Sequence, residues 1–423
     1  MLRPSNTAGG APPATPLKTL FAANTPAAFW RLLLERQPPA GVWDRAVRTA
    51  AEELPEGARG AAGDIDTLLS LTLGEGQFGR RHWQIGPAQR LYYAVKPILP
   101  RWSTRLLRRA HARSTETAFP LGWPIEPRYA RFQWAVARQV MRLTGETALP
   151  FVHFWPDGHR YAFVLTHDVE TTQGLAQVSD VADLDASYGF RSSFNFVPER
   201  YAVDRGLLAD LAARGFEVGV HGLKHDGKLF SSHASFLRRA HRINRYVKDF
   251  GAAGFRAPLT HRHPEWMQAL EIEYDLSFFD TDPYEPIPGG TMSLWPFAMG
   301  RFIELPYTLA QDYTLTAVLG ETTPQIWLGK VDFIREYCGL VLLNSHPDYL
   351  SNPVTRHVYE EFLQAMRGRG DYWHVLPREV ARWWRARSWA ASMEDLPGAV
   401  RGVFDETGVR HLSPSRGRGA SVR

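Results

Sequence analysis

Tyr161-Ala-Phe-Val-Leu-Thr166, running straight into His167-Asp168-Val169-Glu170, is the stretch on which the fold turns. Its first half is an apolar run of strand length, the pattern of a strand buried on both faces. Its second half places titratable side chains where that strand ends. The arrangement recurs at Ser193–Val197, at Phe216–Val220 with His221-Gly-Leu-Lys-His225 behind it, at Gly254–Arg256, at Phe302–Leu305, and at Leu340–Asn344 with Ser345-His346 behind it. A last short run is Tyr372–Val375. Helical periodicity fills the gaps: Leu207–Arg214 stops at Gly215, while Phe236, Ala240, Ile243 and Val247 form one face of a helix that stops at Gly251. Strands alternating with helices predict a parallel α/β sheet, and the number of units suits a distorted (β/α)7-type barrel. In such a barrel the C-terminal strand ends share one rim, which would gather Asp168, Glu170, His221, His225, Arg256 and His346 from distant parts of the chain.

Outward from this core the chain is less regular. Its 423 residues are 44% hydrophobic, long for a single core, so a large domain with extensions is expected. The division read from composition and pattern is a loose or helical extension over 1–60, a mostly helical region over 61–149, the barrel over 150–385, and a polar tail over 386–423, largely disordered. In the helical region Phe132, Val136 and Val140 repeat on one face of a helix from Tyr129 to Leu143, and Arg101–Arg113 is a basic amphipathic piece read as a solvated or packed helix. The 49 Lys and Arg against 44 Asp and Glu leave +5, spread along the chain as an arginine bias, which argues against a nucleic-acid partner. One cysteine, Cys338, excludes a disulfide framework and a Cys-rich metal site. With no secretory pattern at the N-terminus and no transmembrane run of about 18 apolar residues, a cytoplasmic protein is expected. No nucleotide-binding glycine fingerprint is present.

The strand-end residues carry the chemistry. Two histidines at i and i+4, His221 and His225, can turn both rings toward one ion, yet taken alone the pair fits a structural role as well. A carboxylate from Asp168 or Glu170 would complete a divalent site with an open position. Arg256 reads either as a partner for such a carboxylate or as a packing arginine, and His346 either as a proton donor or as a buried, hydrogen-bonded histidine.

Residues 161–346 resemble the polysaccharide deacetylase homology domain, the NodB-like carbohydrate esterase family 4. Thr166-His167-Asp168-Val169-Glu170 stands at the family's Thr-Phe-Asp-Asp motif, His221-Gly222-Leu223-Lys224-His225 at its His-Ser/Thr-x-x-His motif, Arg256-Ala257-Pro258 at its Arg-x-Pro motif and Leu343-Asn344-Ser345-His346 near its Leu-x-His motif. Val169 stands where the commoner motif has a metal-binding Asp, so the resemblance is to the variant Asp-x-Glu branch. Gly222 replaces a Ser or Thr, and Leu259 a frequent aromatic.

What the resemblance implies is a hydrolase of carbohydrate metabolism that removes an N-acetyl group from a sugar or glycan intermediate. Zn2+, or another divalent metal, would be held by Glu170, His221 and His225. Asp168 would be the base, Arg256 would hold it through a bidentate pair, and His346 would be the acid. Position in the sequence, rather than the resemblance, opens substrate-facing roles to His167, His261, Asp282 and Trp295, with packing beneath the site the alternative for His167, a loop role for His261 and core packing for Trp295. Two rivals stand beside this reading: a catalytically silent barrel that binds a glycan or a protein, and a hydrolase of a small non-sugar amide.

Overall fold

A computed structural model describes residues 17–79, 82–83 and 119–410. The basic segment Arg101–Arg113 and the last residues of the tail, 411–423, lie outside them, as does the loose N-terminal stretch 1–16.

The apolar runs become strands, in chain order β1 (Leu149–Val152), β2 (Tyr161–Val169), β3 (Ser192–Phe196), β4 (Glu217–His221), β5 (Gly254–Arg256), β6 (Tyr274–Asp275), β7 (Phe297–Met299), β8 (Phe302–Glu304), β9 (Leu340–Ser345), β10 (Tyr372–His374), β11 (Arg401–Asp405) and β12 (Gly408–Arg410). The longer helices are α1 (Ala40–Ala50), α2 (Ile65–Thr72), α3 (Arg128–Thr144), α4 (Thr172–Ser187), α5 (Arg205–Ala213), α6 (His233–Phe250), α7 (Gln325–Glu336), α8 (Pro353–Arg367) and α9 (Pro377–Trp389). Their ends follow the local chemistry. Thr171, Asp204 and Ser232 cap α4, α5 and α6 with side-chain acceptors, and Gly251 ends α6 at φ +63°.

Among the described residues the main sheet has nine strands in the order β10-β2-β3-β4-β5-β6-β8-β7, with β9 along the other edge of β2, and every pairing is parallel except β7 with β8. It curls into a distorted half-barrel. Beyond β8 the chain returns to β9, where Thr308 and Leu309 donate their backbone N–H groups to Leu342 O, so the curl nearly closes on itself. β2 and β9 are buried along their whole length, as continuous apolar runs in a parallel sheet require. The N-terminal region is largely helical, with α1 packed on α3. No helix among the described residues is long and apolar enough to cross a membrane.

Two features depart from the sequence expectation. A second, three-stranded sheet forms where β11 pairs antiparallel with both β1 and β12. The stretch from 386 to 410 is therefore the end of α9 and a paired hairpin rather than a loose tail: Phe404 is fully buried, its ring 4.9 Å from that of Trp30.

Candidate metal centre and its polar floor

The parallel register decides which side chains meet. Asp168 pairs with Asn195 across β2 and β3, Asn195 with Gly219 across β3 and β4, His221 with Arg256 across β4 and β5, and Thr166 with Asn344 across β2 and β9. The strand-end residues named from the sequence thus converge on one rim.

Glu170, the first residue beyond β2, is the hub. Its Oε1 lies 2.8 Å from His225 Nε2, 3.7 Å from His221 Nε2 and 3.8 Å from His346 Nε2. Burial works against its charge, but His225 and the surrounding histidines hold its carboxyl well below the usual range. Glu170, His221 and His225 offer one ligand atom each, all within 4.8 Å of one another, a set that could hold a metal ion. His221 fits that role in detail. Its Nδ1 donates to Arg256 O at 3.1 Å, which fixes the tautomer and leaves Nε2 as a lone pair, and Nε2 is buried without a hydrogen-bond partner among the described residues. A buried acceptor with nothing to accept from is costly unless a ligand uses it. The loop from His221 to His225 is bent to bring the second ring round, with φ +63° at Gly222 and +52° at His225. A Cβ at Gly222 would lie 2.3 Å from Pro258 Cγ, so glycine here is demanded by the neighbouring Arg256-Ala257-Pro258 turn.

Beside this cluster stand two polar pairs. Asp168 is almost fully buried. Its Oδ1 accepts from Asn195 Nδ2 at 3.0 Å and Arg256 Nη1 at 3.1 Å, and its Oδ2 accepts from Asn344 Nδ2 at 3.0 Å. Burial opposes the charge, but Arg256 and the nearby histidines outweigh it and hold the carboxyl at about 2. The bidentate Arg256–Asp168 pair expected from the sequence does not form. Only Nη1 reaches Asp168; Nε donates to Leu276 O at 2.8 Å, and Nη2 has no hydrogen-bond partner among the described residues. On the opposite side, His346 Nδ1 meets Asp312 Oδ1 at 2.7 Å while its backbone N–H donates to Asp312 Oδ2 at 2.9 Å. Burial would discharge this imidazole, yet Asp312, Glu170 and Asp168 push it up to about 10, so it is a cation near neutral pH.

Of the weaker candidates, His167 points away from the rim. Its Nδ1 meets Ser345 Oγ at 2.8 Å and its Nε2 meets Asp185 Oδ2 at 2.9 Å, so it packs beneath the site and ties β2, β9 and α4 together. Trp295 is in the core, its ring 4.9 Å from Phe29 and 5.6 Å from Trp134, with Nε1 donating to Cys338 O. Asp282 is wholly buried, bound to the Tyr284 N–H, and burial together with Glu285 pushes its carboxyl well above the ordinary range. His261 is buried near His225, and burial with the adjacent Arg262 lowers its imidazole to about 3. Nothing in the spacing marks Asn195; Asn344 falls on the rim by its place at the end of β9, and Asp312, which follows the Phe302–Leu305 run and is open to a substrate-facing role from the sequence, instead stands at the start of a short helical turn and holds His346.

No protein-family model matches the sequence, and no curated protein matches it. Among solved structures the chain is similar to a probable polysaccharide deacetylase from Pseudomonas aeruginosa PAO1, at 16% identity and TM-score 0.44 over 56% of this chain and 94% of that one. It is similar to Puue allantoinase at 15% identity and TM-score 0.44, over 55% of this chain and 92% of that one. Against peptidoglycan deacetylase PdaC from Bacillus subtilis the values are 14% and 0.36, over 54% and 96%. Superposition at this level assigns neither activity nor substrate; the chemistry is carried by the geometry of the site itself.

Proposed function

We propose that this chain is a metal-dependent hydrolase that removes an N-acetyl group from a carbohydrate or glycan precursor, with zinc as its metal. The observation that carries the reading is the Glu170, His221 and His225 cluster set between an ionised carboxylate, Asp168, and a protonated imidazole, His346. Those three residues would hold the metal, whose chemistry when bound is Lewis acidity toward water and an amide carbonyl.

The remaining steps belong to side chains. Asp168 is charged at neutral pH and can take the proton of the attacking water. His346 carries its proton on Nε2, the nitrogen that faces Glu170 at 3.8 Å, and can give it to the departing amine nitrogen. Asp312 fixes the other ring nitrogen and keeps the imidazolium oriented. A Glu170 turned away from the histidines would support the silent-barrel rival; its Oε1 sits among them, which favours the hydrolase. The small-amide reading draws support from burial, since Asp168, His221 and His346 are 2%, 2% and 4% exposed, a recess better suited to a small group than to a broad surface.

The test is metal content with amine release. Purified wild type should hold about one zinc per chain, His221→Ala/His225→Ala should hold none, and wild type should release amine from N-acetyl sugars. A wild type that neither retains nor takes up zinc removes the hydrolase reading. One that binds zinc but acts only on small non-sugar amides moves the substrate to that class.

A further inference from the structure

Asp168 is held by more than its arginine. A carboxylate pinned at one oxygen by one nitrogen can still rotate about its Cβ–Cγ bond, and Arg256 supplies only that single point of contact. The same Nη1 is also shared with Thr166 Oγ1 at 2.9 Å and with Asn344 Oδ1. Two amides remove the freedom that is left. Asn195 reaches Oδ1 from β3 and Asn344 reaches Oδ2 from β9, so the carboxylate is gripped from both flanking strands. Neither amide is free to turn over. Asn344 Oδ1 accepts from Arg256 and from Thr166 Oγ1, which leaves its Nδ2 to face Asp168. Asn195 Oδ1 accepts from Ser193 Oγ at 3.2 Å, which leaves its Nδ2 to do the same.

A carboxylate has about four acceptor directions. Three are occupied, and the fourth lies on Oδ2, the oxygen 3.8 Å from His221 Nδ1. The grip therefore leaves one acceptor direction for a water proton, on Oδ2, the oxygen next to His221. It also needs room, which the next strand provides. Gly219 lies directly across from Asn195, and a Cβ there would fall 2.0 Å from Asn195 Oδ1. No side chain other than hydrogen fits without displacing the amide.

We infer that Asn195 and Asn344 are positioning residues that fix the Asp168 carboxylate beside His221 with one lone pair of Oδ2 left free for a proton, and that Gly219 is glycine to seat Asn195. The inference rests on the proposed role of Asp168 as base. Loss of one amide lets the carboxylate rotate, and a base misplaced by about an ångström loses on the order of 10²-fold in rate.

The experiment uses the full zinc-loaded chain and the variants Asn195→Ser, Asn344→Ser and Gly219→Ala. Each is read by its crystal structure, its zinc content and its amine-release kinetics on an N-acetyl sugar. Both serine variants should keep about one zinc per chain, show the Asp168 carboxylate rotated, and lose about 10²-fold in kcat with KM within about threefold. Gly219→Ala should match Asn195→Ser in both respects although it touches neither Asp168 nor a metal ligand. An Asp168 carboxylate left in place in both serine variants overturns the inference, as does a kcat within about threefold of wild type. If wild type releases no amine, the functional reading fails while the crystal structures still decide the grip.

Discussion

Gly222 is one residue whose identity the site dictates. It sits between the two histidines in a conformation, φ +63°, that costs a side-chain-bearing residue about 1–2 kcal/mol, with Pro258 filling the space a Cβ would need. Gly222→Ala should therefore cost about 2–4 kcal/mol in urea unfolding, strain and overpacking together, and should weaken zinc retention by displacing His221 or His225. Unchanged stability and retention would mean that the Pro258 turn yields freely. At this scale the sequence is partly legible. Asp168, Glu170, His221, His225, Arg256 and His346 are ionisable groups following apolar runs, so periodicity alone locates them. Their supports are less legible: Asn195 and Asn344 look like ordinary strand polar residues, and Asp312 can be seen as a carboxylate behind the Phe302–Leu305 run, but its pairing with His346 depends on where its short helical turn packs. His167 and Asp168 are neighbours facing opposite ways, and only the pleat of β2 decides which one meets the rim.

Among elements, the buried strands and the most amphipathic helices could be located, with ends off by up to three residues: β2 runs on to Val169, past the apolar run that ends at Thr166, and α6 starts at His233, before its first face residue Phe236. Short pieces could not. β6 has two residues and β7 three, and the pairing of β1 with β11 joins segments about 250 residues apart with no local trace in either. The turn after β5 shows how such pieces are held. His263 stacks on Trp266 with ring centroids 4.3 Å apart and lies 5.2 Å from the Trp83 ring. Burial, reinforced by His233, lowers its imidazole from 6.5 to about 4. The unfolded chain takes up that proton near the ordinary value while the folded chain stays neutral, so the unfolded state is the better proton binder between the two. The stabilisation is complete above about pH 6.5 and declines as pH falls toward 4. His263→Phe, which keeps the stack and cannot titrate, should lose less stability than wild type between those pH values in parallel urea titrations. Equal losses would show that His263 is as easily protonated folded as unfolded.

For the whole molecule, the N-terminal region is joined to the rim rather than appended to it. Glu75, in the turn after α2, is fully buried and pairs with Arg262 on the loop that follows Arg256-Ala257-Pro258. Arg262 Nε donates to Glu75 Oε2 at 2.7 Å, its Nη1 donates to Thr260 O, and its guanidinium lies 4.4 Å from the centre of the Phe279 ring. Thr260 in turn donates to Glu285, whose other oxygen accepts from Gln311, the neighbour of the Asp312 that holds His346. Polar contacts, bridged by the backbone at Thr260 and between Gln311 and Asp312, thus link the helical region to the proposed acid. Burial alone would raise the Glu75 carboxyl, but Arg262 and His82 hold it at about 2, so it remains charged whenever the protein is folded at ordinary pH. Breaking such a pair on one side leaves a buried charge without a partner and costs about 3–5 kcal/mol, whereas replacing both members with apolar groups of similar size is often close to neutral. Glu75→Leu should therefore lower stability by about 3–5 kcal/mol, and Glu75→Leu/Arg262→Met by clearly less. Amine release should fall in the single variant through loss of the Thr260 anchor even where the chain stays folded. If the double variant is as unstable as the single, the cost lies in packing around the turn rather than in the stranded arginine. If amine release survives in a folded Glu75→Leu, the rim is rigid without the helical region, and the chain from Glu75 to His346 transmits nothing.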